Sequence, residues 1–133
     1  MRNRLMAILG VSALAWPAFA QDVDQAALDD AVALGTVATL APLCGLREEG
    51  WSFDLRRATI LDATKAPAPD DHALATAPGS DLVTGALSFA DAEALESFAE
   101  APPATTCGKL VGSQEMHRAD TMVAGFRARK TGS

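Results

Sequence analysis

Cysteine chemistry is the first possibility that the sequence raises, because the chain contains two cysteines, Cys44 and Cys107. They lie 63 positions apart. That spacing fits neither a thioredoxin-like Cys-x-x-Cys, nor a haem attachment motif, nor a zinc ribbon. We predict a structural disulfide, with a reactive thiol pair as the alternative. Closing a loop of this size stabilises a fold by about 4 kcal/mol through the entropy of the unfolded chain.

A second cluster with possible chemistry is Asp70-Asp71-His72, whose side chains are all metal-ligand types. Adjacent residues in a proline-rich segment are poorly placed to share one ion, and a structural zinc site needs more ligands. We interpret the cluster as a solvated turn, with a cation site as the alternative.

Two single side chains, Trp51 and His117, have the chemistry to contact a ligand. Trp51 stands at the start of a predicted helix and is interpreted as a core anchor, with ligand stacking as the alternative. Met116 beside His117 suggests haem or copper, but adjacent helical residues point about 100° apart. We expect His117 to be a surface histidine.

Recognisable catalytic motifs are missing from the sequence, which has no Gly-x-Ser-x-Gly elbow, no Ser-x-x-Lys and no glycine-rich phosphate loop. The carboxylate pairs Asp29-Asp30 and Glu48-Glu49 are typical of solvated helix faces rather than of an acid–base pair. The sequence therefore predicts a protein that is not an enzyme and that has no cofactor or metal.

The first 20 residues have the organisation of a secretory signal peptide. Arg2 and Arg4 form a short basic segment, an apolar run covers 5–16, and small residues at 18 and 20 match a cleavage site before Gln21. This run is shorter than the roughly 20 residues of a membrane anchor. We expect general secretory export, cleavage, no membrane anchor in the mature chain, and a periplasmic or secreted location.

Cleavage leaves residues 21–133, a length that suits one small domain. The net charge of −6 becomes −8 when Arg2 and Arg4 are removed. So acidic a surface repels polyphosphate, which argues against nucleic-acid binding. Positive charge is concentrated near the end of the chain, at Arg118, Arg127, Arg129 and Lys130. We interpret this basic end as a helix C-terminus, with a docking patch for an acidic partner as the alternative.

Hydrophobic periodicity predicts an all-α domain of about four helices closed by one disulfide. The first helix runs from 22 or 24 to 43 or 44, and its second half is apolar on every side, which predicts burial. The other three are expected at 51–62, at 89–100, and from 109 or 113 to 128. Cys107 is expected at the start of the last helix, joined by the disulfide to the end of the first.

Less regular stretches separate these helices. Residues 63–81 contain three prolines, the last in a Pro-Gly step, and are predicted to form a long loop that can be deleted from 65 to 77 with little loss of thermal stability. Residues 82–87 are ambiguous between a helical turn and a short strand. The third helix is expected to turn four side chains towards the core, namely Phe89, Ala94, Leu95 and Phe98.

These features predict an exported, non-enzymatic interaction module or accessory subunit of another exported protein. Its partner surface is expected in the 63–81 loop together with the basic end. The candidate contact residues are Trp51, Asp70, Asp71, His72, Arg127, Arg129 and Lys130. The alternatives are a small-ligand-binding protein with a cavity near Trp51, an acid-stress chaperone, and a small hydrolase. The hydrolase would require His72 or His117 to lie beside a carboxylate and a hydroxyl in one cleft.

Overall fold

The computed structural model describes residues 23–132, so the predicted signal peptide lies outside the described residues. Within this range the chain forms six α-helices and no strand. They are α1 (Gln25–Leu43), α2 (Glu49–Thr64), α3 (Asp71–Thr76), α4 (Ser80–Glu100), α5 (Pro103–Leu110) and α6 (Gln114–Gly132). The all-α prediction is confirmed, whereas the expected count of four helices is too low, because α3 and α5 are short helices that periodicity did not reveal.

Helix α1 is the element on which four of the other five described helices pack. It begins after Asp24, whose carboxylate accepts a hydrogen bond of 2.8 Å from the backbone N–H of Ala27. It contacts α2, α4, α5 and α6, and its buried residues occupy most of its circumference beyond Ala31. By length and composition α1 is apolar enough to cross a membrane, but here it is the central helix of the fold.

The predicted disulfide joins Cys44 to Cys107, with an S–S distance of 2.04 Å. Cys44 is the C-terminal cap of α1, as expected. Cys107 lies in α5 rather than at the start of the last helix, because a turn with Gly112 at φ 75° separates α5 from α6. Ser113 then caps α6 by accepting a hydrogen bond of 3.1 Å from the backbone N–H of Met116.

The segment 63–81 is not the long loop that its prolines suggested. Helix α2 continues to Thr64, α3 forms after Asp70, and α4 begins at Ser80. Gly79 has a φ of 88°, a left-handed conformation that suits glycine at this junction.

The same segment contributes to the core. Ala66, Leu74 and Ala77 are buried in one hydrophobic cluster with Phe126 of α6. The structure therefore contradicts the expectation that residues 65–77 can be deleted without loss of thermal stability, since the deletion would remove three buried side chains and uncover Phe126.

Helix α4 begins nine residues before the predicted start at Phe89, and the ambiguous stretch 82–87 belongs to it. Val83 and Leu87 are buried in a cluster with Ala31 of α1, which explains why this stretch is helical despite its glycine. The predicted inner face is partly wrong: Ala94 is buried and Phe98 half-buried, but Phe89 and Leu95 are exposed.

Candidate functional site

Trp51 is buried where α2 meets α6, and two polar residues hold it there. Its indole N–H donates a hydrogen bond of 3.0 Å to Oδ1 of Asp120. Arg47 donates to both oxygens of the same carboxylate, at 3.0 and 2.5 Å, and its guanidinium lies 5.5 Å from the centroid of the indole ring. We call these three residues the Trp51 cluster. Only 6% of Trp51 is exposed, so little of the ring remains for a ligand.

The charges of the Trp51 cluster stabilise each other. Hydrogen bonds from Arg47 hold the pKa of Asp120 below its ordinary value, against the opposing effect of burial, and the indole N–H of Trp51 acts in the same direction. The hydrogen bond to Asp120 likewise raises the pKa of Arg47. The cluster therefore remains an ion pair at neutral pH and fixes α6 against the turn that precedes α2.

A groove of about 730 Å³ lies beside the Trp51 cluster. Its walls include Arg47, Asp120 and the first turn of α6, where His117 is exposed as expected. Arg118 also lines the groove and pairs with Asp30 of α1, which raises the pKa of Arg118. Trp51 itself does not line this groove, but its partners Arg47 and Asp120 do.

The two parts of the predicted partner surface meet at Asp54 of α2. Its carboxylate accepts a hydrogen bond of 2.7 Å from Nε of Arg127 in the basic end and one of 3.4 Å from Arg57. Arg57 donates in turn, over 3.0 Å, to Asp71 of α3. The structure thus connects Asp71 and Arg127, which are 56 positions apart in sequence, through two side chains of α2.

The other candidate residues have separate positions. Asp70 caps α3 by accepting a hydrogen bond of 2.8 Å from the N–H of Ala73, and His72 is exposed. Lys130 lies 5.9 Å from the ring centroid of Phe126, and Arg129 lines a shallow groove between α2 and α6. Within residues 23–132 no group of three or more His, Cys, Asp or Glu side chains is placed to hold a metal ion.

A surface that the sequence analysis missed lies where the end of α1 meets α2 and α4. Leu43, Phe53 and Leu95 are 44%, 54% and 47% exposed. Leu43 and Leu95 line one groove of about 220 Å³ together with Arg56 and Asp91, and Phe53 stands one helical turn before Arg56. We call these five residues the apolar groove.

The polar centre of the apolar groove is held by hydrogen bonds. The hydroxyl of Thr39 lies 2.8 Å from Oδ1 of Asp91, and Nη2 of Arg56 lies 3.2 Å from that hydroxyl and 3.5 Å from the carboxylate. This arrangement joins α1, α2 and α4 at one point. It can present a fixed arginine and carboxylate between exposed apolar side chains, which is a binding geometry rather than a catalytic one.

Comparison with protein-family models, curated proteins and solved structures finds no match to this chain. The function is therefore inferred from the geometry of its own surfaces.

Proposed function

We propose that the protein is an exported, non-enzymatic interaction module that binds another exported protein through the apolar groove. The observation that carries this proposal is the group of three large apolar side chains that are each about half exposed. Leu43 and Leu95 line the groove with the Arg56–Asp91 pair, and Phe53 lies one helical turn before Arg56 on α2. Exposed apolar side chains that are grouped, rather than scattered singly, are typical of interaction surfaces.

The composition of the groove suits a protein partner better than a small molecule. Its volume of about 220 Å³ is below the roughly 300–1,000 Å³ of typical ligand pockets. An aromatic ring and an arginine are enriched at the centres of protein interfaces, where they supply much of the binding energy. Because Thr39 and Asp91 already hold Arg56, less conformational entropy is lost when a partner binds.

Export is supported by the disulfide and by the sequence that precedes the described residues. Disulfides persist in oxidising compartments, and the predicted signal peptide would direct the chain to one. The bond also serves the groove directly. Leu43 immediately precedes Cys44, so the disulfide restrains the end of α1 that carries this apolar side chain.

Site-specific photocrosslinking in exporting cells tests this proposal. A photoreactive residue at position 53 or 95 should form a covalent adduct with a discrete exported protein. The matched control is position 111, because Val111 is 58% exposed but lies outside the groove. The proposal fails if position 111 yields the same adduct as strongly, or if neither groove position yields one.

A second candidate function, binding of a small anionic metabolite, is favoured by the groove beside the Trp51 cluster. Its volume of about 730 Å³ lies within the range of ligand pockets, and Arg47, His117 and Arg118 supply hydrogen-bond donors. After cleavage Trp51 would be the only tryptophan, because the other is Trp16. Titration with anionic metabolites should therefore change the fluorescence of Trp51, and unchanged fluorescence together with unchanged thermal stability would reject this candidate.

A further inference from the structure

Helix α4 carries a second surface, on a different side from Asp91 and Leu95. Five residues follow each other at spacings of seven, four, three and four, and so occupy one side of the helix. They are Leu82, Phe89, Glu93, Glu96 and Glu100. All five are exposed, with Leu82 at 39% and Phe89 at 57%. We call them the α4 outer face.

The three glutamates of this face are unfavourably placed in the isolated chain. They lie in the last turns of α4, where negative charge opposes the helix dipole, and that last turn contains no basic residue. Glu96 has Glu93 three positions before it and Glu100 four positions after it, so like charges are neighbours. Among residues 23–132 no ion pair includes any of the three. A cationic partner would relieve this repulsion.

We propose that the α4 outer face binds a basic amphipathic helix of a partner protein. Apolar side chains of that helix would cover Leu82 and Phe89, and its lysines or arginines would pair with the glutamates. The face extends from Leu82 to Glu100, which are 18 positions apart, or about 27 Å of helix, the length of about five turns of a partner helix. This surface goes beyond the proposed function, because it lies outside the apolar groove.

The charge pattern favours a basic helix as the occupant over two others, a second copy of the chain and an anionic membrane. If a second copy of the chain packed its own α4 on this face in parallel, glutamates would lie against glutamates. In an antiparallel arrangement, glutamates would lie against Leu82 and Phe89. An anionic membrane would be repelled by the same carboxylates. A basic helix is attracted by them, and the net charge of −6 adds to the attraction at long range.

The experiment uses the purified protein and a designed peptide of about 20 residues, with leucines over two turns of one face and lysines over the next two. Binding should produce NMR chemical-shift changes in residues 82–100. The triple variant Glu93→Gln, Glu96→Gln, Glu100→Gln should bind the peptide at least tenfold more weakly. The matched control changes Glu48, Glu49 and Glu115 to Gln, which are exposed on other parts of the chain. This control removes the same amount of charge, but from outside the α4 outer face. It should therefore weaken peptide binding less than twofold.

Three outcomes would overturn the proposal: equal weakening by the control triple, shift changes that map elsewhere, or binding to phosphatidylglycerol vesicles in place of the peptide. Folding is not at risk in the test variant, since removing the three charges should leave its thermal stability equal or higher. The double variant Phe53→Ser, Leu95→Ser should bind the peptide normally, so failure of the apolar groove and failure of this face are distinguishable.

Discussion

Gly35 of α1 lies so close to Ala90 of α4 that a Cβ atom built on Gly35 would stand 2.8 Å from the Cβ of Ala90. The Cδ2 atom of Leu87 would be 3.2 Å from the same added atom. Two helices that approach through such small residues have their axial register set by the contact. This contact thereby positions Asp91, one residue after Ala90, beside Thr39, one turn after Gly35.

Gly35→Ala is expected to destabilise the protein despite the higher helix propensity of alanine. The added methyl group overpacks the contact with Ala90, which should lower the free energy of unfolding by about 1–3 kcal/mol. Gly85→Ala is the control, because a Cβ there meets nothing within 4 Å. In that exposed helix interior alanine should stabilise by up to about 1 kcal/mol. Urea denaturation measures both, and an unchanged midpoint for Gly35→Ala would contradict the packing described.

Removing the disulfide is expected to lower the free energy of unfolding by about 4 kcal/mol, from the length of the loop that it closes. The double variant Cys44→Ser, Cys107→Ser avoids mispairing and can be compared with the reduced wild type. Helix α5 should lose hydrogen-exchange protection before α1 and α4, because Leu110 is its one buried side chain. Protection that is lost uniformly in all helices would contradict this local role.

Asp120→Asn should reduce stability at neutral pH and flatten its dependence on pH. The pKa of Asp120 is lowered in the fold, so the ion pair contributes fully above the ordinary value of 3.8 and its contribution is lost as pH falls through the folded pKa. Because the pair is partly exposed, we expect a loss of about 1 kcal/mol at pH 7. The control is Asp62→Asn, whose partner Lys65 is 3.9 Å away and well exposed.

Denaturation curves between about pH 2 and pH 7 test this prediction. The prediction would be contradicted if the wild type and the Asp120→Asn variant lost the same amount of stability below pH 4. The same samples test the acid-stress chaperone alternative. That alternative requires loss of tertiary packing together with binding of unfolded client proteins at low pH, and packing that survives acid would remove its basis.

Leu74→Ala tests whether the segment between α2 and α4 is part of the fold. Leu74 is 3% exposed and packs in the cluster that contains Phe126. Its truncation should lower the free energy of unfolding by about 2–3 kcal/mol. His72→Ala, two positions earlier and exposed, should change stability by less than about 0.5 kcal/mol. Equal effects of the two substitutions would indicate that the segment does not pack as described.

The central helix and the pairing of the cysteines could be predicted because each depends on a feature that the sequence shows directly. For the helix this is an uninterrupted apolar run, and for the disulfide it is the presence of two cysteines. The apolar run of α1 leaves no polar side to face water, and two cysteines can pair in one way within a single chain. The start of α4 was missed because Gly85 and the preceding Pro-Gly step weaken the helical pattern. Burial of Val83 against α1 outweighs that weakness, and burial by another helix is not visible in sequence.

The candidate surfaces could be predicted less well than the fold, because each depends on how helices cross. Asp71, Arg127 and Trp51 were identified by residue type. Their respective partners, Arg57, Asp54 and Asp120, each lie on a different helix from the residue they contact. The apolar groove was missed because Leu95 was assigned to the core side of its helix. Ala94 and Leu95 were both expected on that side, but adjacent helical residues point about 100° apart, and only Ala94 is buried.

The central position of α1 also has a consequence for synthesis. Gly35 precedes Ala90 by 55 residues, which a ribosome adds in roughly 3–11 s at about 5–20 residues per second. Throughout that interval the apolar side chains of α1 are not covered by α4, the helix with which α1 makes its most extensive contact. The unfolded polypeptide is thus most prone to aggregate through the stretch that becomes α1, until α4 packs against it.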